Sequence, residues 1–88
     1  MAILFIVNHA EALGDCLATA DPADTVLLIE DGVYAATKHH TWPGRLAALD
    51  PDLRARGLLH RLAPGVRVVT DSEFVDLVVE HQPIVTWR

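Results

Sequence analysis

The sequence predicts a small α/β domain, built on a mainly parallel sheet of about five strands that helices flank. Short apolar runs rich in β-branched residues alternate along the chain with segments of helical periodicity. Turn and cap residues separate the two kinds of segment. This alternation is typical of parallel sheets with right-handed crossovers and helices on both faces. The 88 residues suit one domain over residues 1–88.

The first two strands are predicted from apolar runs bounded by polar residues. Residues 3–7 and residues 25–29 are continuous and rich in β-branched side chains, as expected for strands buried on both faces of a sheet. Between them, residues 9–20 carry apolar side chains at the i, i+3, i+4 and i+7 spacing of an amphipathic helix. Asp21 and Pro22 end that helix.

The middle of the chain is predicted to be less regular. Glu30, Asp31 and Gly32 favour a turn, because Asp is suited to its start and Gly supplies conformational freedom. Residues 33–38 predict a short helix. Residues 39–45, which include a proline and a glycine, predict an exposed loop.

The second half contains two further strand–helix units. Residues 46–49 predict a short strand, followed by Asp50 as an N-cap, Pro51 as the first helical residue and Gly57 as the helix end. Residues 66–69 predict another strand, and Thr70 to Glu73 fit a capping box at the start of the next helix. That helix carries Phe74, Leu77 and Val78 on one face and ends before Pro83, and residues 84–87 predict a last strand.

Composition narrows the function classes. The formal net charge of −5 argues against non-specific nucleic-acid binding, which needs Lys and Arg to neutralise phosphates. The opening apolar run is too short for a membrane span and lacks the basic residues of a signal peptide. A hydrophobic fraction of 51% exceeds what so small a core needs, and a subunit interface is the natural place for the surplus. We therefore expect a cytoplasmic, partner-dependent protein.

Candidate functional residues are sought at the carboxyl ends of the strands, where open α/β sheets gather functional groups. The readable ends lie at residues 8–9, 30–32 and 70–71. Glu30 and Asp31 are suited to acid–base chemistry, but no nucleophile or metal-ligand set accompanies them, and a turn explains the same residues. The sequence has no Gly-rich phosphate loop and no Cys-x-x-Cys motif, so we expect neither a cofactor nor a metal.

Cys16 is the residue with the widest chemical reach, because a thiolate can carry sulfur as a persulfide. Its position at the flank of the apolar stripe is more typical of a buried small hydrophobe. The adjacent Asp15 disfavours a thiolate. In the loop, His39 and His40 lack an evident third metal ligand, and Trp42 packs either over the loop or onto a partner subunit.

Several segments, taken in order, resemble the TusB/DsrH family, the smallest subunits of the bacterial sulfur-relay complexes. They are residues 3–8 (Ile-Leu-Phe-Ile-Val-Asn), residues 27–36 (Leu-Leu-Ile-Glu-Asp-Gly-Val-Tyr-Ala-Ala), residues 52–57 (Asp-Leu-Arg-Ala-Arg-Gly), residues 74–78 (Phe-Val-Asp-Leu-Val) and Trp87.

The resemblance implies a mainly structural subunit of a heterohexamer, with TusC/DsrF-like and TusD/DsrE-like subunits in two copies each. Sulfur then passes through the main cysteine of the TusD/DsrE-like subunit, and a persulfide-carrying relay protein is an indirect partner; no direct nucleic-acid or membrane contact is implied. One branch of the family serves 2-thiolation of the tRNA wobble uridine, and the other serves dissimilatory sulfur oxidation. The position of Cys16 on the first helix is similar to that of a cysteine in DsrH-type members, which makes it a candidate persulfide carrier. The candidate interface or strand-end residues are Glu30, Asp31, Gly32, Tyr34, Trp42 and Trp87.

Three hypotheses follow. The first is the sulfur-relay subunit, in either branch. The second is a stand-alone enzyme or persulfide carrier that uses Cys16. The third is a stand-alone regulatory or ligand-binding α/β domain that uses the strand end at residues 30–32.

Overall fold

The computed structural model describes residues 2–87, which form one five-stranded, all-parallel sheet with helices on both faces. This arrangement confirms the predicted fold class. The strands lie in the order β4-β3-β2-β1-β5, so β4 and β5 are the edges. Their bounds are β1 (Leu4–Val7), β2 (Thr25–Leu28), β3 (Arg45–Leu49), β4 (Arg67–Val69) and β5 (Ile84–Trp87).

Three α-helices and three 3-10 segments connect the strands within the described residues. The helices are α1 (Leu13–Thr19), α2 (Asp50–Ala55) and α3 (Asp71–Glu80), and the 3-10 segments are Ala10–Ala12, Glu30–Thr37 and Leu59–Arg61. The helix expected at residues 9–20 is therefore a 3-10 turn followed by α1. The expected turn at Glu30 and short helix at residues 33–38 form one continuous 3-10 segment. None of the helices within residues 2–87 is long and apolar enough to cross a membrane.

The two faces of the sheet are covered unequally. One face packs against α1, α2 and the segment Glu30–Thr37 in a core of twelve buried residues. The other face is covered by α3, whose Phe74 and Leu77 lie only partly buried on six buried sheet residues. We call the first layer the thick core layer, since its twelve residues are all buried. The layer under α3 is thin, because the helix covers it only in part.

The capping predictions met different outcomes. The capping box before α3 is confirmed, since the Glu73 backbone N–H donates to Thr70 Oγ1 at 3.2 Å and the Thr70 N–H donates to Glu73 Oε1 at 3.0 Å. The N-cap prediction at Asp50 is wrong: Leu49 holds the extended cap position and Asp50 is the first helical residue. The Asp50 carboxylate accepts hydrogen bonds from Arg54 Nε instead, at 2.9 and 3.1 Å.

The carboxyl end of α3 is tied to the sheet by a buried histidine. His81 Nδ1 lies 2.8 Å from the Leu77 carbonyl oxygen, which can only accept, so this nitrogen carries the proton. Nε2 lies within hydrogen-bonding distance of the Thr25 hydroxyl, at 3.1 Å. Of the three residues predicted to share one face of this helix, Phe74 and Leu77 are partly buried on the sheet, whereas Val78 is 37% exposed.

Candidate functional site

The carboxyl ends of β1 and β2 carry the most closely constrained backbone of the candidate site. At Gly32 an added Cβ would lie 2.2 Å from the Val7 carbonyl oxygen and 3.0 Å from its carbon. Only glycine therefore lets the segment Glu30–Thr37 lie directly on the end of β1. The same junction is held by the Ile29 N–H, which donates to the Val7 oxygen at 3.0 Å.

Glu30 enters this segment in a left-handed backbone conformation, with φ of 48°. A non-glycine residue in that region needs support from its surroundings. Asp52 on α2 supplies it, because its Oδ2 accepts a hydrogen bond from the Glu30 backbone N–H at 2.7 Å. A carboxylate 22 positions away in the sequence thus fixes the turn that follows β2.

Arg56 links the same two segments through its guanidinium group. Nη2 and Nε donate to Asp31 Oδ1 at 2.9 and 3.1 Å, and Nη1 donates to the Asp52 carbonyl oxygen at 3.2 Å. The guanidinium carbon also lies 5.8 Å from the centroid of the Tyr34 ring, within cation–π range. We call Glu30, Asp31, Tyr34, Asp52 and Arg56 the strand-end cluster.

The strand-end cluster is held together by contacts among its own members. Asp31 and Asp52 already accept hydrogen bonds from Arg56 or from the backbone, so neither stands free beside a nucleophile. No group of three or more potential metal ligands occurs among the described residues. Tyr34 remains 48% exposed over the guanidinium, and a tyrosine held in this way is typical of interface residues.

Cys16 lies elsewhere, on the inner side of α1. Its side chain is completely buried in the thick core layer. Burial, and to a lesser degree the negative charge of Asp24, raises the pKa of the Cys16 thiol from 9.0 to about 11. In this conformation the thiol is protonated at neutral pH and out of contact with solvent.

The two candidate tryptophans pack against the thick core layer, and neither is a member of the strand-end cluster. Trp42 is partly buried against the core, and its ring occupies the space beside Gly44, where an added Cβ would lie 2.3 Å from the ring. His40 Nε2 lies within hydrogen-bonding distance of the Ala35 carbonyl oxygen, at 2.9 Å, so it anchors the loop. Trp87 meets Phe5 edge to face at 6.0 Å on the edge strand β5.

Asp52 and Arg56 were not among the site residues predicted from the sequence. Their spacing, a carboxylate four residues before an arginine on one helix, is a recognisable signal, but it indicates only an intrahelical pair. The contacts with Glu30 and Asp31 depend on how α2 packs beside the end of β2. A separate cavity of about 310 Å³ lies at the opposite, amino-terminal edge of the sheet, with Arg45, Arg67 and Glu80 among its lining residues.

Comparison with known proteins agrees with this architecture. The family described as "DsrH like protein" matches residues 7–84. Protein TusB of Yersinia pestis (strain Pestoides F) is 32% identical over 95 aligned residues, covering 97% of this chain and all of the relative. Protein TusB of Yersinia pseudotuberculosis serotype O:1b shows the same identity and coverage. The two segments that form the strand-end cluster, residues 27–36 and 52–57, are also among those that carry the family resemblance. The chain belongs to the TusB/DsrH family of sulfur-relay subunits.

Proposed function

We propose that this chain is a structural subunit of a heteromeric sulfur-relay complex and that it supplies no sulfur-carrying thiol of its own. Its partners are TusC/DsrF-like and TusD/DsrE-like subunits, in a heterohexamer with two copies of each subunit. The observation that carries the proposal is the environment of Cys16, the single cysteine of the sequence. A relay thiol must meet a partner's sulfur as an accessible thiolate, whereas Cys16 is buried and has a pKa of about 11.

The strand-end cluster supports a role in holding partners. It presents Tyr34 on a frame that a close backbone contact at Gly32 and the Arg56 hydrogen bonds make rigid. A preorganised surface loses little conformational entropy on binding. The thin layer under α3 is the second feature that supports assembly with partners, because a chain of 88 residues gains much of its stability from oligomerisation.

Co-expression with the two partner subunits tests the assembly. We expect a complex of three chain types in equal amounts, resolved by size-exclusion chromatography and native mass spectrometry. A chain that stays a soluble monomer and binds neither partner would refute the proposal. A Tyr34→Ala variant, compared with the exposed control Ala18→Ser on α1, then asks whether the strand-end cluster contributes to assembly.

We propose 2-thiolation of the tRNA wobble uridine as the pathway, since the relatives found bear the TusB name. Removal of the gene should abolish 2-thiouridine at the wobble position, measured by mass spectrometry of digested tRNA. Restoration by the wild-type gene is the control. Unchanged thiolation with impaired oxidation of reduced sulfur would assign the protein to the sulfur-oxidation branch instead.

A further inference from the structure

The outer face of α3 carries an apolar stripe that nothing within the described residues covers. Val75 is 60% exposed, Val78 is 37% exposed and Val79 is 76% exposed. Their i, i+3 and i+4 spacing places them side by side on one side of the helix. We call these three residues the valine stripe. Exposed valines at this spacing on one short helix are the pattern of a helix face that meets another protein.

The position of the valine stripe follows from the contacts of the opposite side of α3. Glu73 forms an ion pair with Arg67 of β4 at 2.9 Å, and Glu80 lines the cavity that β3 and β4 border. The side of α3 that carries Glu73 and Glu80 therefore faces β3 and β4, and the stripe faces towards β1 and β5. Ile84 of β5 pairs with Leu4 of β1, shares the α3 side of the sheet with it, and is 40% exposed. The apolar surface thus continues from the helix towards the edge strand.

The charge around the stripe restricts what can cover it. Helix α3 contains four acidic residues and no lysine, arginine or histidine: Asp71, Glu73, Asp76 and Glu80. Glu73 and Glu80 belong to the side of α3 that faces β3 and β4. Asp71 lies one turn before Val75 and Asp76 lies one turn before Val79, so both flank the stripe. Both are exposed and neither forms an ion pair among residues 2–87. The stripe therefore has a rim of uncompensated negative charge.

A second copy of this chain is a poor occupant for such a surface. Two α3 helices packed stripe to stripe about a twofold axis would bring the Asp76 side chains of both copies into the same contact, because Asp76 lies midway along the stripe. Like charges brought together at an interface are destabilising and select against that pairing. A different chain with lysines or arginines around an apolar patch would bury the valines and pair the carboxylates.

We infer that the valine stripe and Ile84 form a docking surface for a different subunit, one that presents an apolar patch with a basic rim. This inference rests on the proposed function, since the partner is a subunit of the same complex. It also adds to it, because it assigns the second, thinly covered side of the sheet to a contact separate from the strand-end cluster. The subunits of the complex then lie on both sides of this chain's sheet.

The test compares charge-changing variants in co-expression with the TusC/DsrF-like and TusD/DsrE-like subunits. Val79→Lys places a cation in the stripe. Ala18→Lys places the same cation at an exposed position of α1 and is the matched control. Asp76→Asn and Asp76→Lys vary the rim in steps. Circular dichroism of the purified variants establishes that each one folds, which is expected because Val79 and Asp76 are exposed.

We expect Val79→Lys to weaken assembly roughly tenfold or more, as for a central interface residue, and Ala18→Lys to leave it unchanged. Assembly should fall from wild type to Asp76→Asn to Asp76→Lys, and added salt should narrow these differences. Full assembly of all these variants, while wild type also assembles, would overturn the inference and leave the proposed function standing. Homodimers of this chain that Val79→Lys dissociates would overturn it in favour of a second copy. Failure of wild type to assemble would instead refute the proposed function.

Discussion

Replacement of Gly32 by alanine should destabilise the protein strongly through a single added methyl group. The new Cβ would lie 2.2 Å from the Val7 carbonyl oxygen, and ordinary contact begins near 3.4 Å, so the two must separate by more than 1 Å. Backbone atoms on both sides of this contact cannot rotate away as a side chain can. The segment Glu30–Thr37 must lift from the end of β1, which also stretches the hydrogen bond from Ile29 to Val7.

The magnitude follows from two contributions. Overpacking of a close-packed site costs about 1–3 kcal/mol. Loss of the Ile29 hydrogen bond adds about 1 kcal/mol. We therefore expect Gly32→Ala to lower the free energy of unfolding by about 2–4 kcal/mol. Urea denaturation followed by tryptophan fluorescence measures this difference, since Trp42 and Trp87 both lie partly buried against the core.

Gly14→Ala is the matched control. Gly14 lies in α1, where an added Cβ has no neighbour within 4 Å, so alanine should stabilise the helix by about 0.5–1 kcal/mol. The same methyl group is thus expected to have opposite effects at the two positions. Equal stability of Gly32→Ala and wild type would refute the close packing of this segment on β1.

Four further predictions concern the thiol, the strand-end cluster and the cap of α3. At pH 8 an alkylating reagent should modify Cys16 about 100-fold more slowly in the folded protein than in urea, because a pKa of about 11 in place of 9.0 leaves that much less thiolate; equal rates would contradict burial of the thiol. Because the thiol pKa is higher in the folded state than in the unfolded state, the free energy of unfolding is fully retained below pH 9 and falls as the pH rises towards 11. Cys16→Ala should remove this fall, which denaturation measured across that pH range checks. Asp52→Ala should cost about 1 kcal/mol because the Glu30 N–H loses its acceptor, whereas Asp50→Ala on the same helix breaks an ion pair worth about 0.3–0.5 kcal/mol; similar losses in urea denaturation would argue against the role of Asp52. Thr70→Ala should cost about 1 kcal/mol and the exposed control Ser72→Ala should cost less, by thermal or urea unfolding; a neutral Thr70→Ala would refute the capping box.

The capping box at Thr70 also makes the free energy of unfolding depend on pH. Hydrogen bonds from the Thr70 backbone, then from Arg67 and the Thr70 side chain, lower the pKa of Glu73. A lowered carboxyl pKa stabilises the fold above its unfolded value, and this stability is lost as the pH falls through the folded value. Glu73→Gln should therefore flatten the acid side of the stability curve, which denaturation at a series of pH values measures.

Local signals in the sequence were sufficient for most of the fold. Apolar β-branched runs marked β1 and β2, and the spacing from Thr70 to Glu73 marked the start of α3, because these signals depend on neighbours within a few residues. The Asp50 prediction failed for a reason of the same short range, since Arg54 competes for that carboxylate one helical turn away. The exposure of Val78 was not predictable, because the sequence does not contain the rotation of α3 on the sheet.

The candidate site was less accessible to sequence reasoning. The turn at Glu30 to Gly32 was evident, but its supports on α2 depend on long-range packing that brings Asp52 and Arg56 to it. For Cys16, helical spacing favoured a core residue, and only the family resemblance made a sulfur-carrying thiol an equal alternative. The burial of Cys16 depends on how the layers pack around it, which the sequence does not contain. The role of Cys16 in sulfur transfer stays a prediction.

The central claim, that this chain holds a sulfur-relay complex together without carrying sulfur, is tested most directly by a complex reconstituted with Cys16→Ala. The complex is supplied with a persulfide donor, and transfer of sulfur to the next acceptor is timed beside the wild-type complex. We predict equal rates and no persulfide on Cys16 of the wild-type chain by mass spectrometry. A complex that assembles fully with Cys16→Ala but no longer transfers sulfur would contradict the claim.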